Sequence, residues 1–382
     1  MELVLSEDQQ MLQEAARNFC QKHASIPVLR RLRDSRDETG FDRDIYQRMV
    51  ELGWTGMSLP ETYGGYAFGH GGLGVVLQET GRTLTSSPLI ASILLSANLV
   101  NALGSEAQKQ ALLPGLIAGE RLMAVGLDET PFHDPRKIRT RAKKNGGGYL
   151  LNGSKTLVLD GHVADQLIVI ARTGGDDEGA DGISAFLVDP AAQGVSVTRT
   201  WMLDSRNAAY VELSEVAVPQ ANRLGGEGDV FPELDQVLDV ARIGVAAEML
   251  GSIEEAFARI VDYLNQRQQF GVLIGSFQGL QHRAADMYSE IELCKSLVRA
   301  ALASLDDQES SAQQRASLAS AAKARLSDVF ELVSNESIQM HGGIGMTDEF
   351  DIGFFIKRAR VAQQFLGDAA FHRDRYATLN DF

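Results

Sequence analysis

Three short stretches carry residue types that can do chemistry at close spacing. The first is RQQFG at 267–271, followed by FQ at 277–278. Arg267 offers a guanidinium fork for a phosphate or carboxylate, Phe270 a face for a flat ring, and Gln278 an amide that can hydrogen-bond one. A charged, glycine-capped turn between helices is the alternative reading. The second is QMHGGIGMTDEF at 339–350. Its adjacent glycines, Gly342 and Gly343, let backbone approach a ligand closely and offer amides to phosphate oxygens; a helix C-cap and loop is the alternative. His341 is either a ligand or base, or a capping and packing residue. The third is QQFLGD at 363–368, whose single acid, Asp368, is either a catalytic carboxylate or an ordinary loop acid or helix N-cap.

These stretches need elements to position them. Near the N-terminus Ser6 and Gln9 form a capping-box pattern, and Leu12, Ala15, Ala16 and Phe19 follow at helical spacing. PETYGGYAFGHGGLG (60–74) reads as loop; it does not sit between a strand and a helix as a phosphate loop should. Helical patterning then resumes, interrupted around Pro88. From residue 121 the texture changes: Asn152-Gly153 between apolar runs signals a hairpin, and QLIVIART, ISAFLVD, VSVTRT and YVELSEVAV are short β-rich runs. From about residue 232, Leu250, Ile253, Phe257, Ile260 and Leu264 step by threes and fours. So do Leu280 through Leu305, and Ala322, Leu326, Val329 and Val333. The expected fold class is α+β and multidomain: an N-terminal helical domain over 1–120, a middle antiparallel β-sheet domain over 121–228, and a C-terminal antiparallel four-helix bundle over 229–382.

Composition narrows the function classes. The 382 residues are 44% hydrophobic and carry 36 basic against 51 acidic side chains, a formal net charge of −15. That balance argues against nonspecific nucleic-acid binding, which rests on neutralising phosphates. Two distant cysteines, Cys20 and Cys294, support neither a disulfide framework nor a metal site. Cys294 falls on an apolar helical stripe and is expected to be a buried hydrophobe. MELVLSEDQQ lacks the pattern of a secretory signal, and runs such as SPLIASILL are too short to span a bilayer. A cytoplasmic protein with no membrane segment is the expectation.

Taken together, YLNQRQQFGVLIGSFQGLQHRAADM and, some sixty residues later, QMHGGIGMTDEF resemble the acyl-CoA dehydrogenase family; WTGMSLPETYGG and the Asn152-Gly153 segment agree in order and spacing. The resemblance implies FAD as cofactor, with Arg267, Phe270, Gln278, Gln339, Gly342 and Gly343 at its pyrophosphate and adenine. It implies an acyl-CoA thioester as substrate, bordered by Asp239 and Arg242. An electron-transfer flavoprotein is the implied acceptor, and a four-subunit assembly the implied state. In the family reaction a carboxylate removes the α-proton while the flavin takes the β-hydride.

The sequence departs from the family where that carboxylate belongs. The usual base position corresponds to Leu366, and the position used by a minority of members to Ala241. The family's TEPxAGSD loop corresponds to LDETPFHDP (127–135), and its flavin-side tryptophan and hydroxyl residue to Leu157 and Leu159. Three readings follow: a subunit of a heteromeric dehydrogenase that works with a sister subunit, an active homo-oligomer with Asp368 as displaced base, or a related enzyme needing no α-proton base. A noncatalytic scaffold of the same fold is the rival from another class.

Overall fold

A computed structural model describes residues 4–382. The helices before the sheet are α1 (Glu7–His23), α2 (Ile26–Asp34), α3 (Arg43–Glu51), α4 (His70–Arg82), α5 (Asn98–Leu103) and α6 (Glu106–Ile117). The strands are β1 (Met123–Gly126), β2 (Arg141–Asn145), β3 (Gly148–Leu159), β4 (Gln166–Arg172), β5 (Ile183–Val188), β6 (Val195–Trp201), β7 (Asn207–Pro219) and β8 (Arg223–Leu224). After them come α7 (Phe231–Gln266), a small hairpin of β9 (Gln268–Gln269) and β10 (Val272–Leu273), then α8 (Gln278–Asp306), α9 (Ala312–His341), α10 (Ile352–Gln364) and α11 (Ala369–Leu379). Two compact units result: one of Met1–Asp34, His70–Thr85 and Arg242–Phe382, the other of Ser35–Gly69 and Ser86–Ala241.

The first unit is helical, and its core is drawn from the apolar positions read from the three- and four-residue steps, although Phe257, Leu280, Ala284 and Leu305 are only partly buried. Leu250, Ile253, Ile260 and Leu264 of α7, Met287, Ile291, Cys294 and Val298 of α8, and Ala322, Leu326, Val329 and Val333 of α9 are all buried. Each larger aliphatic side chain removed from water in this way contributes roughly 1.5–3 kcal/mol. Burial pushes the Cys294 thiol up to about 12, as a packed thiol requires. Ser6 and Gln9 make the expected capping box on α1. The 60–74 stretch is corrected in its second half, because α4 begins at His70. The Asp306 carboxylate accepts the His70 and Gly71 backbone N–H groups at 2.7 Å each, satisfying donors that an exposed helix start would leave to water. Further along, a side chain at Gly81 or Gly251 would overlap a carbonyl oxygen of the facing helix, so these glycines set the close approach of α4 and α7.

The second unit is built on an eight-stranded sheet ordered β6-β7-β3-β2-β4-β5-β8, with β1 also beside β4. Pairing is antiparallel except that β1 and β2 run parallel to β4. Its inner face buries Leu151, Val158, Leu167, Val169, Phe186, Val211 and Val216. Asn152-Gly153 is not a hairpin turn; it lies inside β3, at a register shift against β7. The chain turns instead at Gly146-Gly147, between the paired residues Asn145 and Gly148. Gly153 has a tertiary reason for lacking a side chain, since a Cβ there would sit 2.7 Å from the Thr140 Cα. After Pro88 the chain continues as a wholly buried π-helical segment, Leu89–Ala97. Among the described residues no helix is long and apolar enough to cross a membrane, and no group of three or more His, Cys, Asp or Glu could hold a metal ion.

Candidate active site

At the end of α7 the chain does not make a simple interhelical loop but a tight β-hairpin, with Gln269 paired to Val272. Phe270 and Gly271 both take positive φ, +54° and +79°, as a two-residue hairpin turn of this kind demands. The turn lifts the Phe270 ring into solvent, where it is 91% exposed with its neighbour Phe277 at 6.2 Å. Arg267 is exposed and has no acidic partner among the described residues. Gln278, at the start of α8, and Gln339, in the last turn of α9, are also exposed. Gly342 caps α9 at φ +65°, and nothing lies within 4 Å of where a side chain would stand at Gly342 or Gly343. The ends of α7 and α9 meet through Tyr263, whose ring stacks on His341 at 4.4 Å. An unpaired guanidinium, a bare aromatic face, free amides and two uncovered backbone positions are a donor set that fits an anionic, flat-ringed ligand such as FAD.

His341 itself is a packing residue in this arrangement. Its ring clusters with those of Tyr263 and Phe350, and its Nδ1 is 2.6 Å from the Ser337 carbonyl. Burial lowers its pKa, opposed by the bond to Ser337, so the ring stays neutral at physiological pH.

The QQFLGD stretch leaves α10 and enters α11. Asp368 is the N-cap of α11, its Oδ1 accepting the Phe371 N–H at 2.8 Å. Leu366 is 3% exposed and adopts φ +58°, and Gly367 follows at +107°. A left-handed leucine is strained, at roughly 1–2 kcal/mol, and the surroundings hold it there. The Leu366 carbonyl accepts from His372 Nε2 at 3.0 Å and from Arg242 Nε at 3.5 Å. Lys323, wholly buried, donates from Nζ to the carbonyls of Ala362 at 2.8 Å, Gly367 at 2.9 Å and Gln363 at 3.2 Å. Neither Lys323 nor His372 was singled out by the sequence reading. The available signal was a lysine set between alanines on the apolar stripe of α9.

Ala241 and Arg242 are fully buried on α7, and Asp239 nearly so. In the second unit, the LDETPFHDP loop is tied to the sheet by a buried ion pair, Glu129 Oε1 to Lys155 Nζ at 2.7 Å. Glu129 also accepts the backbone N–H groups of Arg139 and Thr140, and Asp128 meets His133 Nδ1 at 2.9 Å. At the end of β3 the register shifts between Lys155 and Val158, and Leu157 and Asp160 both take positive φ. Leu157 and Leu159 are partly buried, and burial raises the Asp160 carboxyl to about 7 against the opposing charge of Arg206. Glu129, Lys155 and Asp160 also escaped the sequence reading, because their burial comes from contacts across the sheet.

Comparison with known proteins agrees with this architecture. Residues 6–120, 129–216 and 231–378 match the N-terminal, middle and C-terminal domains of acyl-CoA dehydrogenase, respectively. The chain is 32% identical to an acyl-CoA dehydrogenase of Bacillus subtilis (strain 168), over 97% of both chains. It is 30% identical to the caffeyl-CoA reductase-Etf complex subunit CarC of Acetobacterium woodii, over 94% of both. Among solved structures it superposes on the Tcur3481-Tcur3483 steroid ACAD with a TM-score of 0.86 at 30% identity, covering 98% of each chain. The chain therefore belongs to the acyl-CoA dehydrogenase family of FAD-dependent oxidoreductases.

Proposed function

We propose that this chain is a subunit of a heteromeric acyl-CoA dehydrogenase, with an incomplete catalytic site of its own. The observation that carries the reading is Leu366: the position corresponding to the family's base holds a buried apolar side chain. Its alternative, Ala241, is equally inert. α-Proton removal needs a carboxylate near the substrate carbon in a site dry enough to raise its pKa. Asp368, the nearest acid in the loop, is engaged in capping α11.

The cofactor-side residues support a lending role. Arg267, Gln278, Gln339, Gly342 and Gly343 would hold the FAD pyrophosphate and adenine, with Phe270 packing against a ring, while Asp239 and Arg242 border the acyl-CoA. FAD, when bound, supplies the hydride acceptor for α,β-desaturation. The base and the flavin-side wall, where this chain has Leu157 and Leu159, come from the sister subunit. A steroid ACAD and an Etf-associated reductase subunit among the relatives support a bacterial-type assembly of four chains that passes electrons to an electron-transfer flavoprotein.

Co-expression with a dehydrogenase-like sister chain tests this. The complex should be yellow, hold about one FAD per two chains and bleach with its acyl-CoA, whereas this chain alone should not turn over. Bleaching of a yellow homo-oligomer by an acyl-CoA would refute the dependent-subunit reading. Colourless protein both alone and in complex would refute the flavin reading.

A further inference from the structure

We propose that Lys323 is a positioning residue: with Arg242 and His372 it clamps the 363–368 turn in the strained form that seats a catalytic side chain at position 366, and this seat persists although the side chain is now Leu366. The seat rests on the reading above that 366 is the base position; the clamp itself does not.

Four observations carry it. A β-carbon-bearing, bulky residue at φ +58° is an outlier that persists only where its surroundings over-determine it, and such strain gathers at functional sites. The donors on that turn come from three separate elements, Arg242 of α7, Lys323 of α9 and His372 of α11, and all converge on carbonyls of residues 362–367. Lys323 spends its three N–H donors on backbone alone, two of the oxygens belonging to the last turn of α10, where the helix dipole favours a cation. Finally, a Cβ at Gly367 would lie 2.8 Å from His372 Nε2 and 2.5 Å from the Phe371 ring, so the next residue is glycine by necessity.

The arrangement is costly in its own right. Burial, reinforced by the charge of Arg242, pushes the Lys323 pKa down to about 7, with Asp368 opposing. A packing role alone would be met better by methionine at this position.

The test has two arms. In the first, amide hydrogen exchange is followed in the full chain for wild type, Lys323→Met and Lys323→Arg. The Phe365 and Gly367 amides should exchange at least tenfold faster in Lys323→Met, with much of the protection restored by Lys323→Arg and the α8 amides unchanged. Equal protection of the turn in wild type and Lys323→Met would overturn the clamp, whether or not flavin ever binds. Should Lys323→Met not fold, His372→Phe, which removes the 3.0 Å donor to the Leu366 carbonyl, carries the same comparison. In the second arm Leu366→Glu is placed in a flavin-loaded assembly whose sister subunit has its own base carboxylate changed to the amide. It should raise acyl-CoA-dependent bleaching at least tenfold with an acidic limb in its pH profile, and adding Lys323→Met should remove that gain while FAD content stays constant. Bound flavin with no gain from Leu366→Glu would overturn the seat. Failure to bind flavin at all would refute the proposed function and leave the exchange arm decisive for the clamp.

Discussion

The Glu129–Lys155 pair offers the sharpest quantitative prediction, because both side chains are withdrawn from water, at 8% and 0% exposure. Glu129→Ala leaves the Lys155 ammonium with only the Leu127 carbonyl, at 3.0 Å, and strips the acceptor from the Arg139 and Thr140 backbone N–H groups. Breaking a buried pair from one side costs about 3–5 kcal/mol, and Lys155→Met should cost less because it leaves a carboxylate that keeps two backbone donors. The double variant should be less destabilised than the sum, with a coupling of at least about 2 kcal/mol. Burial acts to raise the Glu129 pKa, but the charge of Lys155 and the bonds from Lys155 and Thr140 overcome it and hold the carboxyl below its ordinary value. A depressed carboxyl contributes stability above its unfolded pKa, about 4.3, and loses it as pH falls through the folded value. The coupling should therefore be larger at pH 7 than in acid, where the carboxyl protonates, while burial pulls the Lys155 ammonium below its ordinary value from the other side. Urea unfolding followed by circular dichroism at both pH values measures it. A coupling below about 0.5 kcal/mol at pH 7 would refute the reasoning.

Three further outcomes are expected. Arg267→Ala should lower FAD retention in the assembled enzyme while leaving the unfolding free energy within about 0.5 kcal/mol, since the side chain is exposed and has no acidic partner among the described residues; unchanged flavin content would remove Arg267 from the cofactor. Asp368→Ala should cost about 1 kcal/mol through the lost α11 cap, and Asp368→Asn almost nothing; abolition of turnover by Asp368→Asn alone would instead identify the displaced base. For Asp160, whose carboxyl burial raises to about 7, the folded state binds a proton that the unfolded state releases near pH 4. Its contribution is present below that pH and lost as pH rises toward 7, so Asp160→Asn should flatten this decline. An unchanged pH–stability curve would show that Asp160 titrates normally.

Much of the fold was legible because its cause is local. Three- and four-residue steps place apolar side chains on one stripe, and Leu250, Ile291 and Val329 are buried where that periodicity puts them. Turn chemistry was less reliable. Asn152-Gly153 lies within a strand, where Gly153 is demanded by Thr140 packed against it, and the chain turns instead at Gly146-Gly147. The glycines of 70–74 read as loop, yet a carboxylate more than two hundred residues away caps them into a helix.

By itself, then, the sequence determined the order of helical, sheet and helical segments, the family, and the absence of an acid at 366 and 241. Those depend on periodicity and on residue identity at motif positions, which are properties of the chain. Tertiary structure alone decided that Lys323 reaches carbonyls 39 to 44 residues away, that Asp368 spends its carboxylate on a helix cap, and that Leu366 is held left-handed. The reason is that a buried polar group must find its partners wherever the fold brings them, and no local pattern records that distance.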